Sequence, residues 1–122
     1  MKFGTIDHII LFGGSRCLAE FASDVLRKGS YSLSVFTCDR QLEETIYADG
    51  TTLEAFLNDL GIRFRSTPDI NSDPEIESSI TEATLGLGLG EAWSFSRALI
   101  DRFGGRLLDL MGIRLPQYRG GA

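Results

Sequence analysis

Residues able to do chemistry cluster at two glycine-rich turns and at the C-terminal end of the chain. Near that end, Asp109 and Met111 stand one residue apart, ahead of Leu115-Pro116-Gln117-Tyr118-Arg119-Gly120. An ionised Asp109 carboxylate only accepts hydrogen bonds; held protonated by burial, it can donate one to a developing oxyanion. Met111 can neither give nor take a proton. Arg119 presents a planar fork suited to a phosphate or carboxylate, and equally to a salt bridge fixing its own loop. Gly13-Gly14-Ser15-Arg16 precedes a helical pattern, whose free amides favour anions. It fits neither Gly-x-Gly-x-x-Gly nor Gly-x-x-x-x-Gly-Lys, so a tight strand-to-helix turn is the better reading. Gly86, Gly88 and Gly90 make no dinucleotide fingerprint either, because Gly-x-Gly-x-Gly is not the spacing Gly-x-Gly-x-x-Gly. Glu91 and Trp93 come next, a loop carboxylate and the lone tryptophan, a residue type more often a core anchor than a ligand platform.

Other candidates fall away quickly. Cys17 and Cys38 are the only cysteines and form no Cys-x-x-Cys pair, and His8 is the only histidine, so a Cys/His metal site cannot be assembled. Two reduced thiols are the expected state. His8 is tempting as a general base, but it opens a strand. At ~3.3 Å per residue it lies about 15 Å from the carboxyl end where ligands gather, so a structural role is expected.

The elements that must position these groups can be read from periodicity. His8-Ile9-Ile10-Leu11-Phe12 is a continuous apolar run stopped by Gly13-Gly14, the pattern of a strand buried on both faces. Leu18, Phe21, Ala22, Val25 and Leu26 recur at helical spacing, closed by Lys28-Gly29. Strands are expected over residues 7–12, 32–37, 62–65, 83–89 and 106–111, the third short and near a sheet edge. Residues 39–50 read as a polar connection. Thr51-x-x-Glu54 has the form of a capping box for a helix carrying Leu53, Phe56, Leu57 and Leu60. Residues 69–82 are acidic and read as solvated surface, with Asp73-Pro74 a possible helix start. The alternate glycines of residues 83–90 bare one strand face, so a helix or ligand can approach its backbone. Ser94 or Ser96 can cap a helix bearing Ala98, Leu99, Ile100 and Phe103, ended by Gly104-Gly105.

Strands separated by helices imply one α/β domain over residues 1–122: an open, mainly parallel sheet with right-handed crossovers and helices on both faces. If the first strand is interior and the fourth pairs on its other side, Gly13-Gly14-Ser15 and Gly90-Glu91-Ala92-Trp93 meet at one crevice. Asp109 to Gly120 joins them from the side.

Bulk properties agree with a compact domain. The chain has 122 residues, 43% of them apolar and 24% charged, ordinary for a globular protein. No apolar run approaches the ~20 residues of a membrane helix. The first residues lack the apolar core of a secretory signal, so cytoplasm is the expected compartment and no membrane partner is expected. A net charge of −5 disfavours nucleic-acid binding, which needs a basic face.

Leu115-Pro116-x-Tyr118-Arg119-Gly120 after the final strand resembles the active-site segment of the folate-dependent formyltransferases, roughly Asn-x-His-Pro-Ser-Leu-Leu-Pro-x-Tyr-Arg-Gly. Methionyl-tRNA formyltransferase, glycinamide ribonucleotide transformylase and the sugar N-formyltransferases carry versions of it. The resemblance implies a Rossmann-like fold and transfer of a formyl group from 10-formyltetrahydrofolate to an amine, here of a small molecule or nucleotide sugar. It implies pterin contacts from Leu89, Gly90, Glu91, Ala92 and Trp93. It implies substrate contacts from Gly13, Gly14, Ser15, Tyr118 and Arg119. Asp109 stands where the family has its oxyanion-binding Asn, and Met111 where it has the catalytic His. The alternative is therefore a catalytically degenerate module that binds in the same crevice without transfer. The family's domain continues beyond a point equivalent to Ala122, through further strands and an aspartate, so a truncated or shortened domain is expected, with self-association through an uncovered sheet edge.

Overall fold

The computed structural model describes residues 6–89 and 95–109. Five strands, β1 (His8–Gly13), β2 (Ser32–Thr37), β3 (Arg63–Ser66), β4 (Thr84–Leu89) and β5 (Leu107–Asp109), form one sheet in the order β3-β2-β1-β4-β5. Every neighbouring pair is parallel. The expected architecture is therefore observed, with β1 interior. His8 pairs with Ser32 on one side and Thr84 on the other. All of β1 after His8 is buried, as its unbroken apolar run requires.

The connections are α1 (Ser15–Lys28), α2 (Asp39–Leu42), α3 (Leu53–Asp59), α4 (Pro74–Ser79) and α5 (Arg97–Phe103). They divide between the two faces because side chains alternate along each strand. Ile9, Leu11, Val35 and Leu87 point to one core, filled by Leu18, Ala22 and Val25 of α1 and Leu53 and Leu57 of α3. Ile10, Phe12 and Phe36 point to the other, closed by Ile70, Ile76, Leu99 and Phe103. The glycine face of β4 belongs to this second core. A Cβ on Gly86 would lie 2.7 Å from the Phe103 ring, so only glycine lets α5 approach so closely.

Three local expectations change. The helix cap is Thr52, whose Oγ1 accepts from the Ala55 amide at 3.2 Å, while Thr51 donates from its amide and hydroxyl to Asp49. The Thr51–Glu54 capping box is displaced because Asp49, two residues back, offers Thr51 a nearer acceptor. Residues 39–50 contain α2 and an antiparallel bridge between Thr45 and Thr52. Residues 69–82 are not merely solvated surface: Ile70, Ile76 and Ile80 are buried in the second core, and their spacing was masked by the surrounding acids.

Asp73 anchors that segment. It is buried, caps α4 through the Glu75 amide at 3.0 Å, and accepts from Arg65 Nε of β3 at 2.9 Å. Arg106 fixes the segment's far end by donating to the carbonyls of Thr81, Glu82 and Thr84.

Candidate functional site at the carboxyl edge

The strand order creates one topological switch point. The chain goes from β1 to β2 on one side and from β4 to β5 on the other, so strand order reverses between β1 and β4. Sheets of α/β type bind ligands at the carboxyl ends of strands at such a point. On the β1 side the crevice is bordered by Gly13, Gly14 and Ser15. The Gly14 amide donates to the Leu89 carbonyl at 3.2 Å, tying the turn to the end of β4. Ser15 has a left-handed φ of 74°, the only positive-φ residue other than glycine among those described. Such a conformation costs about 1–2 kcal/mol for a residue with a Cβ. The chain thus holds a strained turn at the first residue of α1.

Beneath the turn lies Gln41 of α2, 5% exposed. A Cβ on Gly14 would fall 2.7 Å from Gln41 Cδ, so glycine is required by contact there. Thr37 Oγ1 donates to Gln41 Oε1 at 3.4 Å, and Cys38 Sγ sits 3.7 Å from the same oxygen. Sequence reasoning missed Gln41, because residues 39–50 carry no periodicity that would assign it to an element. A buried glutamine supporting a glycine turn has no one-dimensional signature.

Below the carboxyl ends of β1 and β2, aromatic side chains pack together in the second core. Phe12 stacks on Phe36 at 5.9 Å and meets Phe95 and Phe103 edge-on at 5.3 and 6.0 Å. These pairings make the carboxyl ends of β1 and β2 rigid.

Asp109 closes β5 in register with Gly88 and is half-buried. It therefore flanks the crevice on the β4 side, with Leu89 buried at the end of β4. Gly13, Gly14, Ser15, Leu89 and Asp109 converge on one edge of the sheet. Gly90, Glu91, Ala92, Trp93, Met111, Tyr118 and Arg119 lie outside the described residues.

His8 is at the opposite edge. Its Nε2 is 3.1 Å from Ser34 Oγ, and the ring also hydrogen-bonds the Ser79 backbone. Burial lowers its pKa below the ordinary imidazole value; Asp7 and the Ser79 contact oppose this, and Arg63 adds to it. Cys17 is exposed and Cys38 half-buried, and neither is in a disulfide. Among the described residues no group of three His, Cys, Asp or Glu side chains could hold a metal ion, and no helix is long and apolar enough to cross a membrane. No protein-family model, curated protein or solved structure matches the chain.

Proposed function

We propose that the chain is a formyltransferase-type α/β domain that takes 10-formyltetrahydrofolate at the carboxyl edge of its sheet and passes the formyl group to an amine. With a net charge of −5, a small molecule or nucleotide sugar is a more natural acceptor than tRNA. The observation that carries this reading is the switch point itself. A strained Gly13-Gly14-Ser15 turn faces it from β1, and Asp109 flanks it one strand beyond β4. In the proposed reaction the amine nitrogen bonds the formyl carbon as the carbon–N10 bond breaks. The amine loses a proton and N10 gains one. A carboxylate at Asp109 is suited to receiving the amine proton.

A second reading, binding without transfer, is favoured by the same residue. A carboxylate in place of an amide donor repels the oxyanion that forms during transfer. Loss of one such donor typically costs on the order of 10²–10³ in rate.

Titration with 5-formyltetrahydrofolate, a stable analogue, separates the outcomes. Saturable amide shifts at Gly13, Gly14, Ser15 and Leu89, with Trp93 fluorescence changes, are expected. Shifts confined to the His8 edge, or none at all, would remove both readings. Binding accompanied by turnover of 10-formyltetrahydrofolate that Asp109→Ala abolishes selects the transferase; binding without turnover selects the second reading.

A further inference from the structure

The amino-terminal edge of the sheet carries a second concavity with a character of its own. Between the starts of β1, β2 and β3 and the end of α4 runs a trough of about 570 Å³, within the few-hundred to ~1,000 Å³ range of small-molecule sites. His8, Ser34, Arg63 and Ser79 line its polar side, and Leu26 and Tyr31 its apolar rim. None of its lining residues is acidic, although the chain has 17 acids against 12 Lys and Arg. A surface drawn at random from so acidic a protein would carry carboxylates. Arg63 is thus the one charged side chain among the lining residues, with Asp7 beside His8 the nearby carboxylate that acts on the imidazole.

The groups in the trough are also arranged for recognition. Arg63 pairs in register with Ser34, and Ser34 Oγ is 3.1 Å from His8 Nε2, so guanidinium, hydroxyl and imidazole are neighbours on one sheet face. Among the described residues Arg63 makes no salt bridge, whereas Arg65, two residues on, is held by Asp73. A guanidinium fork beside hydroxyl donors matches the several oxygens of a phosphate better than the two of a carboxylate. Leu26 and Tyr31 are 42% and 39% exposed, two of the few large apolar side chains left open to solvent, and they stand on the same trough. An apolar body would cover them.

We propose that this trough binds a small organic phosphate monoester, with Arg63 holding the phosphate beside the Ser34 hydroxyl and His8, and the organic group lying against Leu26 and Tyr31. The site is separate from the carboxyl-edge crevice. His8 begins β1 and Gly13 ends it, which puts about 16 Å of strand between the two. The proposal therefore stands or falls apart from the formyl-transfer reading.

Phenyl phosphate is the probe, titrated into the full chain and followed by amide and His8 ring resonances, with phenol, benzoate and inorganic phosphate as companions. Saturable shifts at Ser34, Arg63 and Ser79 are expected, with millimolar or tighter affinity. The bound dianion should also raise the apparent pKa of His8, set otherwise by burial, Asp7, Arg63 and the Ser79 contact. Arg63→Gln, an exposed edge substitution, should weaken binding about tenfold while leaving the melting temperature unchanged. Equal affinity for phenol would overturn the role of the phosphate. Equal affinity for inorganic phosphate would overturn that of the apolar rim, and equal affinity for benzoate the preference for phosphate. Absence of saturable shifts at Ser34, Arg63 and Ser79, or undiminished binding by Arg63→Gln, would overturn the site itself.

Discussion

Gly86 is the position where a single methyl group has the largest foreseeable consequence. An alanine Cβ would approach the Phe103 ring to 2.7–2.8 Å and Leu107 Cδ1 to 2.9 Å. Phe103 is fully buried against Phe12, so the ring cannot swing aside without opening the second core. Overpacking of this kind costs about 1–3 kcal/mol. Gly86→Ala should lose that much in urea unfolding, and Phe103→Leu should recover part of it in the double variant. Additive effects of the two changes would mean that the contact is not the cause.

Asp73 offers a residue-scale test by pH. Burial alone raises its pKa, but hydrogen bonds from Arg65, Thr67 and the Glu75 amide, with the Arg65 charge, outweigh burial and hold it below the ordinary value of 3.8. A carboxyl group depressed on folding stabilises the protein above its unfolded pKa. That stabilisation is lost as pH falls through the folded value. Asp73→Asn, which keeps a capping oxygen, should therefore cost about 1.5 kcal/mol at pH 7 through the lost charge-assisted bond to Arg65. The gap between variant and wild type should narrow below about pH 4. A gap that stays constant from pH 7 to pH 2 would show that the charge of Asp73 contributes nothing.

At the scale of elements, legibility followed periodicity. The continuous run of residues 8–12 and the alternate glycines of β4 carry patterns with one physical meaning, and the sheet they imply is the sheet observed. The third strand is shifted by a residue, to Arg63–Ser66, because only Phe64 faces a core and an edge strand of pattern exposed–half-buried gives little register. The acidic stretch before β4 hid three core isoleucines. Only Ile76 lies within the short helix α4, flanked by Glu75 and Glu77, and a six-residue helix is too brief to show a full period. Of the candidate site, the turn at Gly13 to Ser15 was legible as a turn, but the strain at Ser15 and the support from Gln41 were not. Both are properties of chain geometry rather than of residue type. The displaced cap is directly testable. Thr52→Ala should cost about 1 kcal/mol, the usual worth of a lost N-cap, whereas Thr51→Ala should cost clearly less. Equal losses in denaturant melts would restore Thr51 as a capping residue.

At the scale of the whole molecule, the two ends of the sheet differ in chemistry. The carboxyl edge carries the strained turn at Ser15 and Asp109, and the amino-edge trough combines a cation with hydroxyls. Within the described residues β5 is an edge strand, and Leu108 on it is 44% exposed. Edge strands with open apolar side chains invite pairing with another chain. Sedimentation at micromolar concentration is expected to show a mass that rises with concentration, and Leu108→Lys should suppress it. A monomer throughout would discount that edge as a contact between copies.

The order β3-β2-β1-β4-β5 also has a temporal meaning. β1 finds β2 soon after both are made, but its other side waits for β4, since His8 pairs with Thr84. At a ribosomal rate of 5–20 residues per second that wait is on the order of ten seconds. Through it the nascent β1–β2–β3 ribbon has no α5 to lay over Phe12 and Phe36, and one long flank of β1 offers unpaired amides and carbonyls. The strand that organises the finished sheet is thus its most adhesive segment during synthesis. Ribosome-bound chains stalled before Thr84 should be the ones that recruit a chaperone.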